Sequence, residues 1–287
     1  MRHSIYSLLF LLTAVFFCAC NQRQQGQEGT EVQEVQGVQG VEEGQETADL
    51  AFNSVQPSNR NLPIEQPAPL TNKREQILKR DHYTVSYNAE TKQPNWVAWR
   101  LTKAHTYGKT PRPQNAFRED EEVPQPRATL ADYRSRKWSR GHMCPAGDNK
   151  WDSEAMYETF LLTNICPQNY DMNDGVWNDI EMTCRQWARK YGEVFIVCGP
   201  LFTKGTHETI GPNRIPVPEA FFKVVLAMGE TPKAIGFLCR NAAITGAENQ
   251  YVQSVDEVER LTGMDFFPAL NDDIEEKIES RARWKDW

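Results

Sequence analysis

Apolar and polar positions divide the chain into three regimes. An apolar run over residues 5–17 follows a basic start at Arg2 and His3. Residues 21–66 show no helical or strand-like period. They are mostly Gln, Glu, Gly and Val with almost no aromatics, and 32–41 is a near-repeat, V-Q-E-V-Q-G-V-Q-G-V. From Pro67 onward short apolar runs recur. Residues 95–102 alternate as a strand does, and 159–165, 194–202, 221–228 and 234–239 are compact apolar runs suited to buried strands. Within 173–191, Trp177, Ile180, Cys184, Trp187, Ala188 and Tyr191 recur at helical spacing, with Asn173 or Asp174 as the N-cap. Residues 255–262 and 273–282 read as late helices. Pro216 and Pro218 confine their segment to a sheet edge or a loop. Strands interrupted by helices predict an α+β domain around a mostly antiparallel central sheet flanked by helices.

Composition supports a real core. Hydrophobic residues make up 39% and charged residues 25%, with 8 Trp, 9 Tyr and 13 Phe, which excludes wholesale disorder and coiled-coil or collagen-like chains. The first apolar run is too short to cross a hydrocarbon layer of ~30 Å, so residues 1–19 read as an export signal. Ala19 before Cys20, with Phe17 two residues earlier, resembles a bacterial lipobox. That resemblance implies cleavage before Cys20, lipidation of Cys20, and an exported lipoprotein anchored on the periplasmic or cell-surface side of a membrane. Residues 20–66 cannot bury enough apolar surface to offset their ordering entropy, and read as a solvated acidic tether. The expected folded domain is 67–287.

Charge is unevenly placed. The total of −7 argues against a nucleic-acid partner, but residues 21–66 carry −6 of it and 67–287 only −2. Arg134, Arg136, Lys137 and Arg140 fall within seven residues, a patch able to hold a polyanion locally. The domain's five cysteines leave one unpaired, no C-x-x-C occurs, and no Cys/His spacing suggests zinc, so no bridge is assigned. Cys198 and Cys239 sit in strand-like runs and read as buried thiols.

Of the domain's histidines, His82, His105 and His207 read as structural. Only His142 has chemical company, in Ser139-Arg140-Gly141-His142-Met143-Cys144-Pro145-Ala146. Glycine lets the backbone approach a ligand, and arginine is suited to phosphate. Downstream come Thr163-Asn164-Ile165-Cys166-Pro167-Gln168, Asn173-Asp174-Gly175-Val176-Trp177, then Glu181 and Arg185. On a straight helix Asn173 and Glu181 lie ~80° apart and Arg185 one turn further, a shared polar face able to carry a hydrated cation beside a phosphate.

The ordered set R-G-H-M-x-P-A, T-N-I-x-P-Q and N-x-G-x-W-x-x-x-E resembles the DNA/RNA non-specific endonucleases, with their ββα-metal active site. Ala131-Asp132-Tyr133, Cys198–Phe202, Val217–Val225 and Leu261–Phe267 resemble the family's pattern too, so the likeness runs over about 83–270. It implies a sequence-non-specific enzyme that hydrolyses DNA and RNA phosphodiesters and binds both through the phosphate backbone. By position, His142 matches the general base and Asn173 the direct protein ligand of a catalytic Mg²⁺, with Mn²⁺ or another divalent cation able to stand in its place. Glu181 matches the carboxylate that orients waters around the metal. Arg140 and Arg185 match phosphate-facing arginines, and Arg112 a further one, with Arg118 competing for that role. Asn164 is a supporting residue. A homodimer is left open. One departure is Ser139, where the family usually has Asp. It motivates the alternative of a catalytically weakened nucleic-acid-binding lipoprotein of the same fold.

Overall fold

A computed structural model describes residues 62–134 and 136–287. The export signal, Cys20 and the tether up to residue 61 lie outside the described residues. A seven-stranded antiparallel sheet organises the domain. Its strands are β1 (Gln76–Lys79), β2 (Thr84–Asn88), β3 (Gln93–Thr102), β6 (Glu193–Leu201), β9 (Ala220–Ala227), β10 (Lys233–Arg240) and β11 (Val252–Gln253), in that spatial order. Two small antiparallel pairs complete the β structure: β4 (Ser139–His142) with β5 (Ile165–Gln168), and β7 (Thr209–Ile210) with β8 (Ile215–Pro216). The helices are α1 (Ser153–Glu158), α2 (Asn178–Tyr191), α3 (Val255–Thr262) and α4 (Asp272–Glu279), with a single helical turn at Tyr170–Met172. Among the described residues no helix is long and apolar enough to cross a membrane.

The central strands are apolar on both sides because both sides of the sheet are covered. Val97, Trp99 and Leu101 of β3, Ile196 and Cys198 of β6, and Phe221 and Val225 of β9 pack into one core. It also takes Trp177, Ile180, Cys184, Trp187 and Ala188 from the α2 region and Met143, Cys144 and Cys166 from the β4–β5 region. The alternate residues, among them Trp96, Ala98, Phe195, Val197, Phe222 and Val224, form a second core with Val255, Val258, Phe266, Phe267 and Ile278. The β4–β5 pair and α2 therefore share one side of the sheet, and α3 and α4 cover the other.

Three expectations shift. The run 159–165 is not a strand: Leu162–Asn164 form a 3-10 turn and the strand begins at Ile165. Thr163 and Asn164 are fully buried, and their side chains bond to Asp120 and to the backbone of Cys144 and Thr159, which a continuous strand would not permit. Neither Asn173 nor Asp174 is the N-cap. Asn169 caps the earlier turn by accepting the N–H groups of Asp171 and Met172, and helical backbone then continues through Asn173. Residues 62–66, read as the end of the tether, carry a turn closed by Gln66 N–H to Pro63 C=O at 2.9 Å, and Ile64 packs against the second core. All five described cysteines are buried free thiols.

Candidate active site

The β4–β5 pair sets His142. Ser139 faces Gln168, Arg140 faces Pro167, Gly141 faces Cys166 and His142 faces Ile165. Each end of the pair is pinned. The Ser139 hydroxyl donates to the Gln168 carbonyl at 3.0 Å. Just past His142, the Asn164 side chain accepts from Cys144 N–H at 2.9 Å and donates to Cys144 C=O and Thr159 C=O at 2.9 and 2.8 Å. A Cβ at Gly141 would sit 1.8 Å from Gln168 Oε1, so any side chain there would have to displace the buried Gln168 side chain. The Tyr133 hydroxyl donates to Ile165 C=O at 2.9 Å, and Asp132 accepts from Thr129 and Asn213, tying the β7–β8 connection to this layer.

His142 lies between two aromatic rings, 5.0 Å from Phe160 and 5.4 Å from Phe117, centroid to centroid. The same rings seat two arginines. The Arg140 guanidinium lies 4.2 Å from the Phe117 centroid and the Arg112 guanidinium 4.8 Å from that of Phe160, close enough for cation–π attraction. A cavity of about 270 Å³ opens here, lined by Arg112, Asn115, Phe117, Leu130 and Arg140 among others. Burial first, then Arg112 and Arg140, push the His142 imidazole down to about 3. Its Nε2 has no hydrogen-bond partner. Arg118 does not compete, since it stacks on Tyr157 at 3.2 Å and donates to the Tyr157 carbonyl at 2.6 Å.

The second group of residues lies on and before α2. Asn173 opens a π-helical turn, Asn173–Trp177, in which Gly175 leaves helical geometry at φ −100°, ψ −115°. Absorbing one extra residue removes about one 100° step of rotation, so the offset of ~80° between Asn173 and Glu181 falls to about 20°. The Asn173 amide nitrogen donates to Asp174 at 3.2 Å and leaves its carbonyl oxygen uncommitted. Burial pushes the Glu181 carboxyl up to about 7, opposed first by Lys223. One free amide oxygen and one such carboxylate, with no sulfur or nitrogen donor, fit a hard and largely hydrated divalent cation.

Arg185 is held by the fold. Its Nη1 donates to Asp148 at 2.7 Å, and Asp148 also accepts from Trp99 Nε1 at 3.1 Å. Arg185 therefore pairs with a buried carboxylate from a distant segment rather than with Glu181 one turn before it. Lys223 of β9 is only 1% exposed, with its ammonium 4.5 Å from the Trp177 ring centroid and 5.4 Å from that of Trp99. Burial opposes its charge, but Cys198, Glu181, Cys184 and Asp148 outweigh that and hold its pKa up.

The structure therefore joins His142, Arg112 and Arg140 around Phe117 and Phe160, with Asn164 beneath them. It sets Asn173, Glu181 and Arg185 on the helix that shares a core with Met143 and Cys144. β4, β5 and α2 make up the ββα unit. His105 stacks on Trp151 with His82 edge-on to both rings, and His207 pairs with Glu219 at 2.8 Å, so these three have structural partners. Sequence reasoning missed Phe117, Phe160, Asp148 and Lys223 as parts of the site. Asp148 and Lys223 stood beside or inside quoted motifs, while the two phenylalanines carried no local signal.

A family model for DNA/RNA non-specific endonucleases matches residues 60–273. The mitochondrial nuclease EXOG of Xenopus laevis is 38% identical over 209 residues, covering 67% of this chain and 58% of that protein. Human mitochondrial endonuclease G is 32% identical over 209 residues, covering 68% of this chain and 70% of that protein. A crystal structure of an EndoG/EndoGI complex contains a chain that aligns with a TM-score of 0.66 and 26% identity, over 69% of this chain and 88% of that one. The chain spans under two thirds of the length of its EXOG relatives.

Proposed function

The chain belongs to the DNA/RNA non-specific endonuclease family, and from that premise we propose that it is a metal-dependent, sequence-non-specific endonuclease of DNA and RNA. One observation carries the reading: the His142 imidazole stands beside Arg112 and Arg140, neither of which forms an ion pair with a carboxylate among the described residues. A neutral imidazole next to a phosphate-sized anion site is what hydrolysis of a phosphodiester requires.

In this reading Arg112 and Arg140 bind the non-bridging phosphate oxygens and stabilise the charge that grows in the transition state. His142, held neutral, accepts a proton from the attacking water on its imidazole. The bound phosphate offsets the arginine charge, which lifts part of the depression of His142 and strengthens the base when substrate is present. Arg185, fixed by Asp148, adds positive charge beside Glu181. Asn173 offers an amide oxygen to the cation and Glu181 orients its waters. Mg²⁺, when bound, supplies positive charge for the leaving 3′ oxygen. Contacts confined to the phosphate backbone carry no sequence information, which suits a non-specific enzyme leaving 5′-phosphate ends. In the same reading residues 1–19 are an export signal, Cys20 is lipidated and the acidic tether holds the domain on the periplasmic or cell-surface side of a membrane, where scavenging or degrading foreign nucleic acid would use it.

The test incubates the purified chain with supercoiled plasmid and with RNA, in Mg²⁺ and in EDTA, beside His142→Ala and Asn173→Ala. Metal-dependent cleavage of both substrates that collapses in both variants is expected. Intact substrates at high enzyme and several pH values, with binding retained, would instead support the weakened binding protein suggested by Ser139.

A further inference from the structure

On the far side of the sheet from His142, α3 and α4 bring three carboxylates together. One oxygen each from Asp256, Glu259 and Glu279 lies within 4.8 Å of the others. Glu279, the last residue of α4, is only 4% exposed, and its Oε1 has no hydrogen-bond partner. A buried carboxylate oxygen with nothing to bond is costly, and a ligand carrying positive charge would relieve that cost. The surroundings agree. The charged groups acting on Glu279 are the carboxylates of Glu259, Glu275, Asp256 and Asp265. Arg260, adjacent to Glu259, is turned away into a two-pronged bond with Glu257 at 2.7 and 2.6 Å. Glu259 lies in the last turn of α3 and Glu279 ends α4, so both face the negative ends of helix dipoles, where cations are favoured.

We propose that Asp256, Glu259 and Glu279 form a Ca²⁺ site that clips α4 to α3. The donor set is oxygen only, which excludes a thiolate- or imidazole-selective metal. Three carboxylates with one Glu259 oxygen taken by the Phe266 N–H can supply three to five oxygens, and Ca²⁺ accepts such irregular, largely protein-made shells, whereas Mg²⁺ requires a near-ideal octahedron and keeps several waters. Glu259 is pre-positioned: its Oε1 accepts the Phe266 N–H at 2.7 Å, which fixes the carboxylate and leaves its second oxygen for the ion. Ala234 of β10, Val258 of α3 and Ile278 of α4 share the second core, so the clip would brace the layer covering that side of the sheet.

The experiment measures Ca²⁺ binding by equilibrium dialysis and Ca²⁺-dependent melting of the full chain. It compares wild type, Glu279→Gln, Asp256→Asn, the double variant, and Asn173→Ala. One Ca²⁺ per chain is expected in wild type and in Asn173→Ala, with an affinity on the order of 10⁻⁴–10⁻³ M. Saturation at 100 times the dissociation constant should raise their melting temperature by about 5–10 °C. The double variant should lose both the ion and the rise, and Asp256→Asn, at the exposed end of the cluster, should bind at least tenfold more weakly. Glutamine mimics the protonated carboxyl, so circular dichroism in EDTA should show Glu279→Gln folded as wild type. Wild type without binding at 10 mM Ca²⁺, or variants that bind equally well, would overturn the proposal. So would loss of the ion in Asn173→Ala alone. No nucleic acid enters the assay, so its outcome and that of the nuclease reading are separate.

Discussion

Asn164 does not line the cavity and bonds to neither arginine, yet the placement of His142 depends on it. Its side chain is fully buried and makes three bonds to the main chain: one accepted from Cys144 N–H, one donated to Cys144 C=O and one donated to Thr159 C=O. Asn164→Ala would leave all three of those buried groups without a partner. Each unsatisfied group costs about 1–3 kcal/mol, and partial relaxation or water entry lowers the sum. The expected loss is about 3–5 kcal/mol, a large share of a typical domain stability of ~5–15 kcal/mol. With a urea slope of about 2–3 kcal/mol per molar for a domain this size, the unfolding midpoint should fall by roughly 1–2 M. Tryptophan fluorescence reads it directly. Because Cys144 is two residues beyond His142, kcat should also fall, with KM little changed, since no substrate contact is removed. A midpoint within about 0.3 M of wild type would refute the reasoning, because it would mean that the three bonds are not what holds this segment.

Other expectations are as direct. Arg112→Ala should lower kcat/KM by about 10²-fold or more, as loss of a transition-state charge donor does, whereas Arg118→Ala should leave cleavage within a few fold; equal effects in a plasmid assay would reverse the assignment between them. Gly141→Ala should cost about 1–3 kcal/mol through overpacking against buried Gln168, and adding Gln168→Ala should recover much of it; urea midpoints without that recovery would count against the clash. His82 and His142 are both pushed down from 6.5 to about 3, chiefly by burial. The unfolded chain therefore binds protons that the fold refuses, so their contribution to stability is whole above about pH 6.5 and is lost as pH falls toward 3. Melting temperature should drop on acidification and His82→Asn should flatten the drop; an unchanged slope would exclude that origin.

Much of the domain was legible because burial leaves a direct trace in residue choice. β3, β6, β9 and β10 coincide closely with the apolar runs read as strands, since a sheet covered on both sides has to be apolar at successive positions. Helix α3 matches its expected 255–262 span, with Ser254 capping it by accepting Glu257 N–H. The motif around His142, with Asn173 and Glu181, stood out only through its resemblance to the family. The run 159–165 misled because hydrophobicity was counted without the polar side chains inside it. Thr163 and Asn164 are buried to make bonds, so a turn replaced the strand.

Local sequence therefore determined which segments would be strands and helices, and which residues have the chemistry for phosphate, a proton and a cation, because those properties belong to single side chains and their near neighbours. The tertiary structure decided who meets whom. Arg112 rather than Arg118 reaches the ring of Phe160, Asp148 rather than Glu181 anchors Arg185, and a π turn, which no hydrophobic period encodes, carries Asn173 just ahead of the helix that bears Glu181. Asp256, Glu259 and Glu279, spread over 24 positions of two helices, converge in the same way. Such pairings are set by how layers stack on the sheet, and contact across layers leaves no period in one chain for a reader to find.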